Sequence, residues 1–599
     1  MISAAPKPDP SIARRSFVQG WKIALVLAMT FAAYSPTLRF QFVHDDWGQI
    51  VQNPAVHSWR AVPNYFTSHV WEGFEPEQRG NYFRPLFLLW VRLNDALFGN
   101  RAWGWHLTTI LAHLLATYLV YQLALQLGIG RPVALVAALL FGLHPAHIEA
   151  VDWVSGVTEP LLGILALASV ICYIAARREF ALGFSRHVAS LGFFALALLE
   201  KETAVILPAF LWLYEWTHGQ EAGRSCGVGK LLAWCAGTLR KTWGYFLILL
   251  LYVPLRVHAL GKFSYVITPM SARVLFLTWP TQIWFWIRHL LWPVGLCTFY
   301  DLPQVSQATV TTFVLPALLD IAAGFLLVAI ARGSRDFAFF AGWLVLPLLP
   351  LLNLRVFVAN DFAHDRYLYL PSVGLAVLVA MALDKWCTRA PRAWGSSWAL
   401  RIAAGCLAAA LFYGTVAEGI YFKDNLTFYS YNFERAPRNR IVATDYAGVL
   451  AEKGEYSEAL QVLTGILNQH PPSPADFYNL GYLYYQMNRL PEAETYFLQA
   501  VHPGPHDPQP YFYLGLTRFK MGQATEAMCA VRQAIAIRPD GYGYHFALGM
   551  MLRAQGDLGG ALQEIKAELS NYPAESGAAT QSRELEQALR RTPQLPAQR

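Results

Sequence analysis

Two adjacent carboxylates, Asp45 and Asp46, stand in Phe42-Val43-His44-Asp45-Asp46-Trp47-Gly48-Gln49-Ile50, directly after an apolar run long enough to cross a membrane. A charge at the centre of a bilayer costs about 2.5 kcal/mol or more, so such a pair belongs at a membrane end or serves a function. One isolated pair is explained by a solvated helix end. This pair has company. Arg84 lies in Asn81-Tyr82-Phe83-Arg84-Pro85, and His144, His147 and Glu149 share a six-residue stretch with Asp152 and Glu159 close behind. Glu200, Lys201 and Glu202 are consecutive, Arg256 and His258 follow, and His364, Arg366 and Tyr367 end Asn360-Asp361-Phe362-Ala363-His364-Asp365-Arg366-Tyr367. Singly, each has a structural reading: arginines snorkel, histidines satisfy a helix end, and Glu-Lys-Glu closes an ion pair in a turn. Together they describe a polar site beside lipid. Acid plus arginine suits transfer from a phosphate-linked donor, with a carboxylate deprotonating the acceptor and a cation stabilising the departing phosphate. The spacing His144-x-x-His147-x-Glu149 could also face a metal ion, but a third convincing ligand is lacking and no metal site is assigned.

The elements that must position these residues are membrane helices. The chain of 599 residues is 55% hydrophobic and 14% aromatic, with only 15% charged residues, where a soluble protein carries nearer a quarter. Mean hydropathy is +0.30. Long apolar runs recur from Trp21 to about Tyr421 and then largely stop, which predicts a polytopic helical domain over 21–425 and a water-soluble tail. Residues 1–20 form a polar N-terminal segment. The run Trp21–Phe40 spans without a small-residue cleavage site and reads as a retained first helix. About eleven crossings are expected, near 21–40, 105–127, 132–150, 157–176, 187–199, 203–216, 243–258, 311–331, 337–352, 367–384 and 400–421. The Trp-rich segment 273–294 breaks parity and is expected as a re-entrant or interfacial hairpin.

Arg14, Arg15 and Lys22 put the N-terminus in the cytoplasm, and parity then collects the basic loops 128–131, 177–186, 217–241, 332–336 and 385–401 on that side. The polar islands fall opposite, beginning with the first outer loop, 41–104, which carries the acidic pair. The formal charge of +7 reflects the basic loops, and no nucleic-acid partner is expected. The seven cysteines show no CxxC or Cys/His metal spacing and no disulfide framework.

From about Ile441 the pattern changes. Ala459, Ala493, Ala527 and Ala561 recur every 34 residues, as do Pro471, Pro505, Pro539 and Pro573, and Gly481, Gly515 and Gly549 keep the same phase. This is the tetratricopeptide period, with small residues where paired helices cross and a proline ending the second helix. Residues 440–575 are therefore expected to stack into an α-solenoid with a concave binding face. Residues 576–599 read as a polar, frayed tail. Parity puts the array on the outer side, with the polar site.

Several of these stretches resemble the transmembrane-and-tetratricopeptide-repeat O-mannosyltransferases. The likeness rests on Phe42-Val43-x-Asp45-Asp46 with Ile50 and Asn53-Pro54, Tyr82-x-Arg84-Pro85, and Leu143-His144-Pro145-x-His147-x-Glu149-Ala150-Val151. It continues through Glu200-Lys201-Glu202 and Arg366-Tyr367-Leu368-Tyr369-Leu370-Pro371-Ser372, covering about 40–375 and running on into the tail. Members of the wider class, the GT-C glycosyltransferases, use a sugar on a polyprenyl or dolichyl phosphate. The resemblance implies Asp45 as catalytic base with Asp46 in support, and Arg366 as a donor-phosphate contact. Asp365 stands where members often carry Glu, a mild departure.

These features together predict an all-α integral-membrane glycosyltransferase. It would move a sugar, mannose by the resemblance, from a polyprenyl-phosphate donor to a Ser or Thr hydroxyl of an exported protein held by the repeats. The expected setting is a bacterial inner membrane, with the site and the repeats in the periplasm. Arg84, His144, His147, Glu149, Glu200, Lys201, Glu202, Arg256, His364, Arg366 and Tyr367 are the candidates for holding donor and substrate. No cofactor is assigned beyond the lipid-linked sugar itself; a divalent metal could assist, but none is predicted. The rival readings are a glycan or lipid ligase, an oligosaccharyltransferase, and a non-catalytic repeat scaffold on a membrane anchor. A transporter fits poorly, because the charges gather at one face and not at the midplane.

Overall fold

The computed structural model describes residues 10–72, 80–178, 182–219, 227–359, 361–389, 396–501, 507–572 and 575–591. Asn360, Pro505, Pro573, residues 1–9 of the N-terminal segment and residues 592–599 lie outside them. Every regular element among the described residues is a helix. The chain divides into two compact units, Met1–Ala436 and Pro437–Arg599.

The first unit is a bundle of apolar helices. Within lipid, each backbone N–H and C=O must find its partner inside the segment, which leaves the helix as the available form for these runs. All eleven expected crossings are helical. Among the described residues, eight helices are long and apolar enough to cross a membrane, and the pair Arg131–Gly142 and Pro145–Val151, bent by 54°, makes a ninth if it counts as one span. The two short helices Gly183–Glu200 and Leu207–His218 do not meet that measure. Close packing relies on small residues, as is usual between membrane helices. At Gly374, in the helix Tyr369–Arg389, a Cβ would lie 2.6 Å from the Phe340 carbonyl oxygen of the helix Arg335–Val345. The helix Val310–Ala331 instead keeps only 6% of its most apolar stretch buried, as a lipid-facing helix does.

Two segments differ from expectation. The stretch 273–294 is not a hairpin but one helix, Ala272–Leu291, capped at its start by the Ser271 side chain on the Val274 N–H. It holds no Gly or Asn at which a reversal could turn, and Pro280 is accommodated inside it. The loop 41–104 contains a helix, Pro85–Phe98, started by proline at its first position.

The second unit is four helix pairs: Arg440–Glu452 with Tyr456–Gln469, Pro474–Gln486 with Leu490–Ala500, Pro508–Lys520 with Ala524–Ile537, and Tyr544–Ala554 with Leu558–Asn571. Ala459, Ala493, Ala527 and Ala561 are each 0% exposed, at the crossings where the period requires a small side chain. At Gly515 a Cβ would stand 2.5 Å from Val531 Cγ2 and 2.9 Å from the Ala527 carbonyl oxygen. Residues 576–591 are not frayed. They form the helix Ser576–Arg591, whose Ala578 and Leu585 bury against the last pair while its other faces stay polar. An end repeat needs such a cover, because its apolar face has no next repeat to meet.

Because each pair buries its apolar face on its neighbours, the fragment 437–599 is expected to fold alone as a helical protein. Gly515→Val should cost it about 1–3 kcal/mol through overpacking. Thermal unfolding followed by circular dichroism checks both; an unchanged midpoint in the variant would refute the close approach.

Candidate active site

The apolar residues Phe42, Ile50, Val56, Tyr65 and Val70 pack with Phe87, Leu88 and Val91 of the helix Pro85–Phe98 and with Trp105. This core fixes two segments at once: the turn bearing Asp45 and Asp46, and Arg84, the residue that caps the helix Pro85–Phe98.

The two carboxylates take opposite environments. Asp46 is fully buried. Its Oδ1 accepts from the Ser155 N–H at 2.9 Å and from Ser155 Oγ at 2.6 Å, and its Oδ2 accepts from the Val43 N–H at 3.1 Å. Burial pushes its carboxyl up to about 7, while the bonds from Ser155 and Val43 pull the other way. Asp45 keeps 29% of its side chain exposed and lines a narrow cleft of about 70 Å³. His44 Nε2 lies 3.3 Å from its Oδ1, and Gln49 Nε2 donates to its Oδ2 at 3.4 Å.

Arg84, Lys201, Arg366 and Tyr367 line the same cleft, with Tyr82 and Trp153 among its walls. Each cation is anchored by a carboxylate from a distant part of the chain. Arg84 Nη2 donates to Glu202 Oε1 at 2.8 Å and its Nε to Oε2 at 3.3 Å. Lys201 Nζ pairs with buried Glu159. Arg366 donates through Nη1 to Glu149 Oε1 at 2.8 Å and through its backbone N–H to Oε2 at 2.9 Å. The Arg366 guanidinium also lies over the rings of Trp153, at 5.2 Å, and Tyr367, at 5.4 Å. Burial raises the Glu202 carboxyl, but Arg84 outweighs it and the group settles at about 2.

The remaining candidates surround this cleft without lining it. Glu149 is fully buried and also meets His364 Nδ1 at 3.3 Å, so it acts on the cleft through Arg366. His364 Nδ1 is 3.1 Å from the Thr298 carbonyl oxygen. His144 accepts the Ala146 N–H on Nδ1 and reaches the Leu290 carbonyl through Nε2, and His147 Nε2 meets Ser372 Oγ at 2.7 Å. Both histidines are buried and join helices together. Among the described residues no group of three or more His, Cys, Asp or Glu is arranged to hold a metal ion. Arg256 is 4% exposed and bonds the Asn81 and Phe263 carbonyls and the Tyr252 hydroxyl, which ties down the segment leading to Tyr82 and Arg84. Glu200 is fully buried at the end of the helix Gly183–Glu200.

Sequence alone does not single out Gln49, Ser155 or Trp153 for the site. Ser155 and Trp153 stand between Asp152 and Glu159, in the one polar island whose other members already drew notice, so proximity was the available signal. Chemically, the cleft offers one solvent-reaching carboxylate opposite three fixed cations. That set can take a proton from a hydroxyl and hold a phosphate in the same space.

Ser155→Ala removes one donor to a buried carboxylate, and a hydrogen bond to a charged group contributes about 1.5–3 kcal/mol. Thermal unfolding of the detergent-purified protein should show a loss of that order, and an unchanged stability would mean Asp46 is held otherwise. The depressed Glu202 carboxyl contributes stability that is present above its ordinary value of 4.5 and lost as pH falls toward about 2. The unfolding midpoints of wild type and Glu202→Gln should therefore differ at neutral pH and converge through that window.

Residues 450–511 and 512–576 each match a tetratricopeptide repeat family model. The chain is similar to protein O-mannosyl-transferase TMTC1 of Homo sapiens, 25% identical over 508 residues, which cover 77% of this chain and 56% of that protein. It is similar to protein O-mannosyl-transferase F38B6.6 of Caenorhabditis elegans, 26% identical over 467 residues, covering 75% of this chain and 63% of that one. A shorter stretch of 189 residues is 35% identical to protein O-mannosyl-transferase Tmtc1 of Drosophila melanogaster, covering 30% of this chain and 21% of the relative. The chain thus spans little more than half the length of the human relative. It is a multi-pass membrane protein with a tetratricopeptide-repeat domain, similar over most of its length to the protein O-mannosyl-transferases.

Proposed function

We propose that the chain is an integral-membrane glycosyltransferase that moves a sugar from a polyprenyl-phosphate donor to a Ser or Thr hydroxyl of a protein. The names of its relatives favour mannose. The observation that carries this reading is the meeting of Asp45 with Arg84, Lys201 and Arg366 in one cleft beside membrane-helix ends. Asp45 is the base. It takes the acceptor's proton as the hydroxyl oxygen forms its bond to the anomeric carbon, and the bond from that carbon to the donor phosphate breaks. Arg366 and Lys201 receive the negative charge of the leaving phosphate. Glu149 engages Arg366 through Nη1, and a guanidinium carries further N–H donors for a second partner. Asp46 holds the turn so that Asp45 faces the cleft. The repeats present the acceptor, and both the cleft and the repeats work on the periplasmic side of a bacterial inner membrane, a reading that the pattern of basic loops supports.

Asp45→Asn keeps the shape of the side chain and removes its basicity, so turnover of a polyprenyl-phosphate sugar should fall about 10²–10⁴-fold with donor binding retained. Turnover at the wild-type rate would remove Asp45 as base. Arg366→Ala should weaken donor use, and Arg366→Lys should restore it only in part, because an ammonium lacks the bidentate fork. Reporter fusions at Gln220 and Asn425 should report opposite compartments; the same compartment at both would break the assigned orientation.

A further inference from the structure

We propose that His44 is a positioning residue for Asp45, with its imidazole seated by the helix Asn425–Arg435 so that it aims the Asp45 carboxylate into the cleft. This rests on Asp45 as the base. His44 adopts φ 52°, and Asn488 is the other non-glycine with positive φ among the described residues. L-residues enter this left-handed region infrequently, and such conformations persist where the surroundings hold them. The surroundings here are specific. The His44 backbone N–H donates to Asn425 Oδ1 at 3.0 Å, and its Nδ1 is 2.9 Å from the Tyr429 hydroxyl. Its ring stacks on Phe428 at 5.6 Å and meets Phe299 at 5.4 Å and Trp153 at 5.7 Å. Asn425, Phe428 and Tyr429 all come from one short helix, itself started by Asp424 Oδ1 on the Thr427 N–H.

The ring therefore has one direction. Its Nε2 lies 3.3 Å from Asp45 Oδ1, and because a carboxylate accepts only, the tautomer that suits this contact carries its proton on Nε2. In the neutral ring Nδ1 then accepts from the Tyr429 O–H. With His44 Nε2 beside Oδ1 and Gln49 donating to Oδ2 at 3.4 Å, both oxygens of the Asp45 carboxylate have a polar neighbour from their own turn. A base acts only within hydrogen-bond reach of the proton it takes, and this pair of contacts sets that reach. Nothing else in the described structure requires a histidine at this position: a phenylalanine would fill the aromatic seat, but it could not bond Asp45 or Tyr429.

The test uses the full-length protein with His44→Gly, which relaxes the left-handed backbone, and Tyr429→Phe, which frees the tautomer. Both are assayed with polyprenyl-phosphate mannose and a threonine-containing peptide. His44→Gly should bind donor as wild type does, lose about 10- to 100-fold in kcat with little change in the peptide KM, and recover part of the loss on addition of imidazole. Tyr429→Phe should lose less, in the same direction. Wild-type kcat in His44→Gly overturns the assignment. So does a loss that imidazole leaves untouched while the unfolding temperature falls, because that is the mark of a ring that only packs. Asp45→Asn run in parallel separates the two levels. If it is inactive and His44→Gly is fully active, only the role of His44 fails; if Asp45→Asn is fully active, the base assignment fails and this one falls with it.

Discussion

The cleft depends on burying one carboxylate so that its neighbour stays in reach of solvent. Asp46 has lost its water, and three donors replace it, two of them from Ser155. A buried charge left without partners would cost several kcal/mol, so the segment 43–46 cannot slide relative to Ser155 without breaking all three bonds. Adjacent residues in a tight turn project in different directions. Once Asp46 is pinned inward, Asp45 is left on the cleft side. Asp46 thus has a mechanical role, and the residue beside it is the one that reaches the cleft.

The cations obey the same constraint. A guanidinium or ammonium at the end of a membrane helix needs a counter-charge, and each of the three has one: Glu202 for Arg84, Glu159 for Lys201 and Glu149 for Arg366. These anchors fix the side-chain directions before any ligand arrives, so little rotamer entropy remains to be lost on binding. They also neutralise the cations in part. Asp45 lines the cleft with His44 and Gln49 beside its carboxylate. That difference separates a carboxylate available as a base from carboxylates committed as anchors.

Much of the architecture was legible in the sequence because it is written in local periodicity. Apolar runs of spanning length, basic loops of alternating side and a 34-residue repeat of Ala, Gly and Pro each depend on residues close in the chain. The acidic pair and the cation-bearing motifs were legible as residue types out of place beside lipid. Their pairings were not, because Asp46 and Ser155 are 109 residues apart and Arg366 and Glu149 are 217 apart, and nothing local couples them. Arg256 shows the converse. Its type and position suggested a phosphate contact, but its donors are satisfied by the Asn81 and Phe263 carbonyls, a purpose that only the tertiary structure reveals. In the segment 273–294 parity favours a reversal, while its own residues, lacking a turn signal, form one continuous helix over Ala272–Leu291.

The helix Asn425–Arg435 escaped notice for a related reason. It follows the last apolar span and precedes the repeats, and its sequence Asn425-Leu426-Thr427-Phe428-Tyr429-Ser430-Tyr431-Asn432 is too polar to span and falls outside the 34-residue period. By composition it is a linker. Its apolar content is aromatic, however, and Phe428, Tyr429 and Asn432 fall on one face at helical spacing, where all three are buried. Asn432 accepts the Thr298 and Phe299 N–H groups on its Oδ1, and Tyr431 meets Glu418, so this face is bonded to the membrane unit as well as packed on it. A short helix held by polar contacts is the kind of element that hydropathy cannot see and a repeat search passes over. Here it seats the left-handed residue beside the acidic pair, which ties the geometry of that turn to chain some 380 residues downstream.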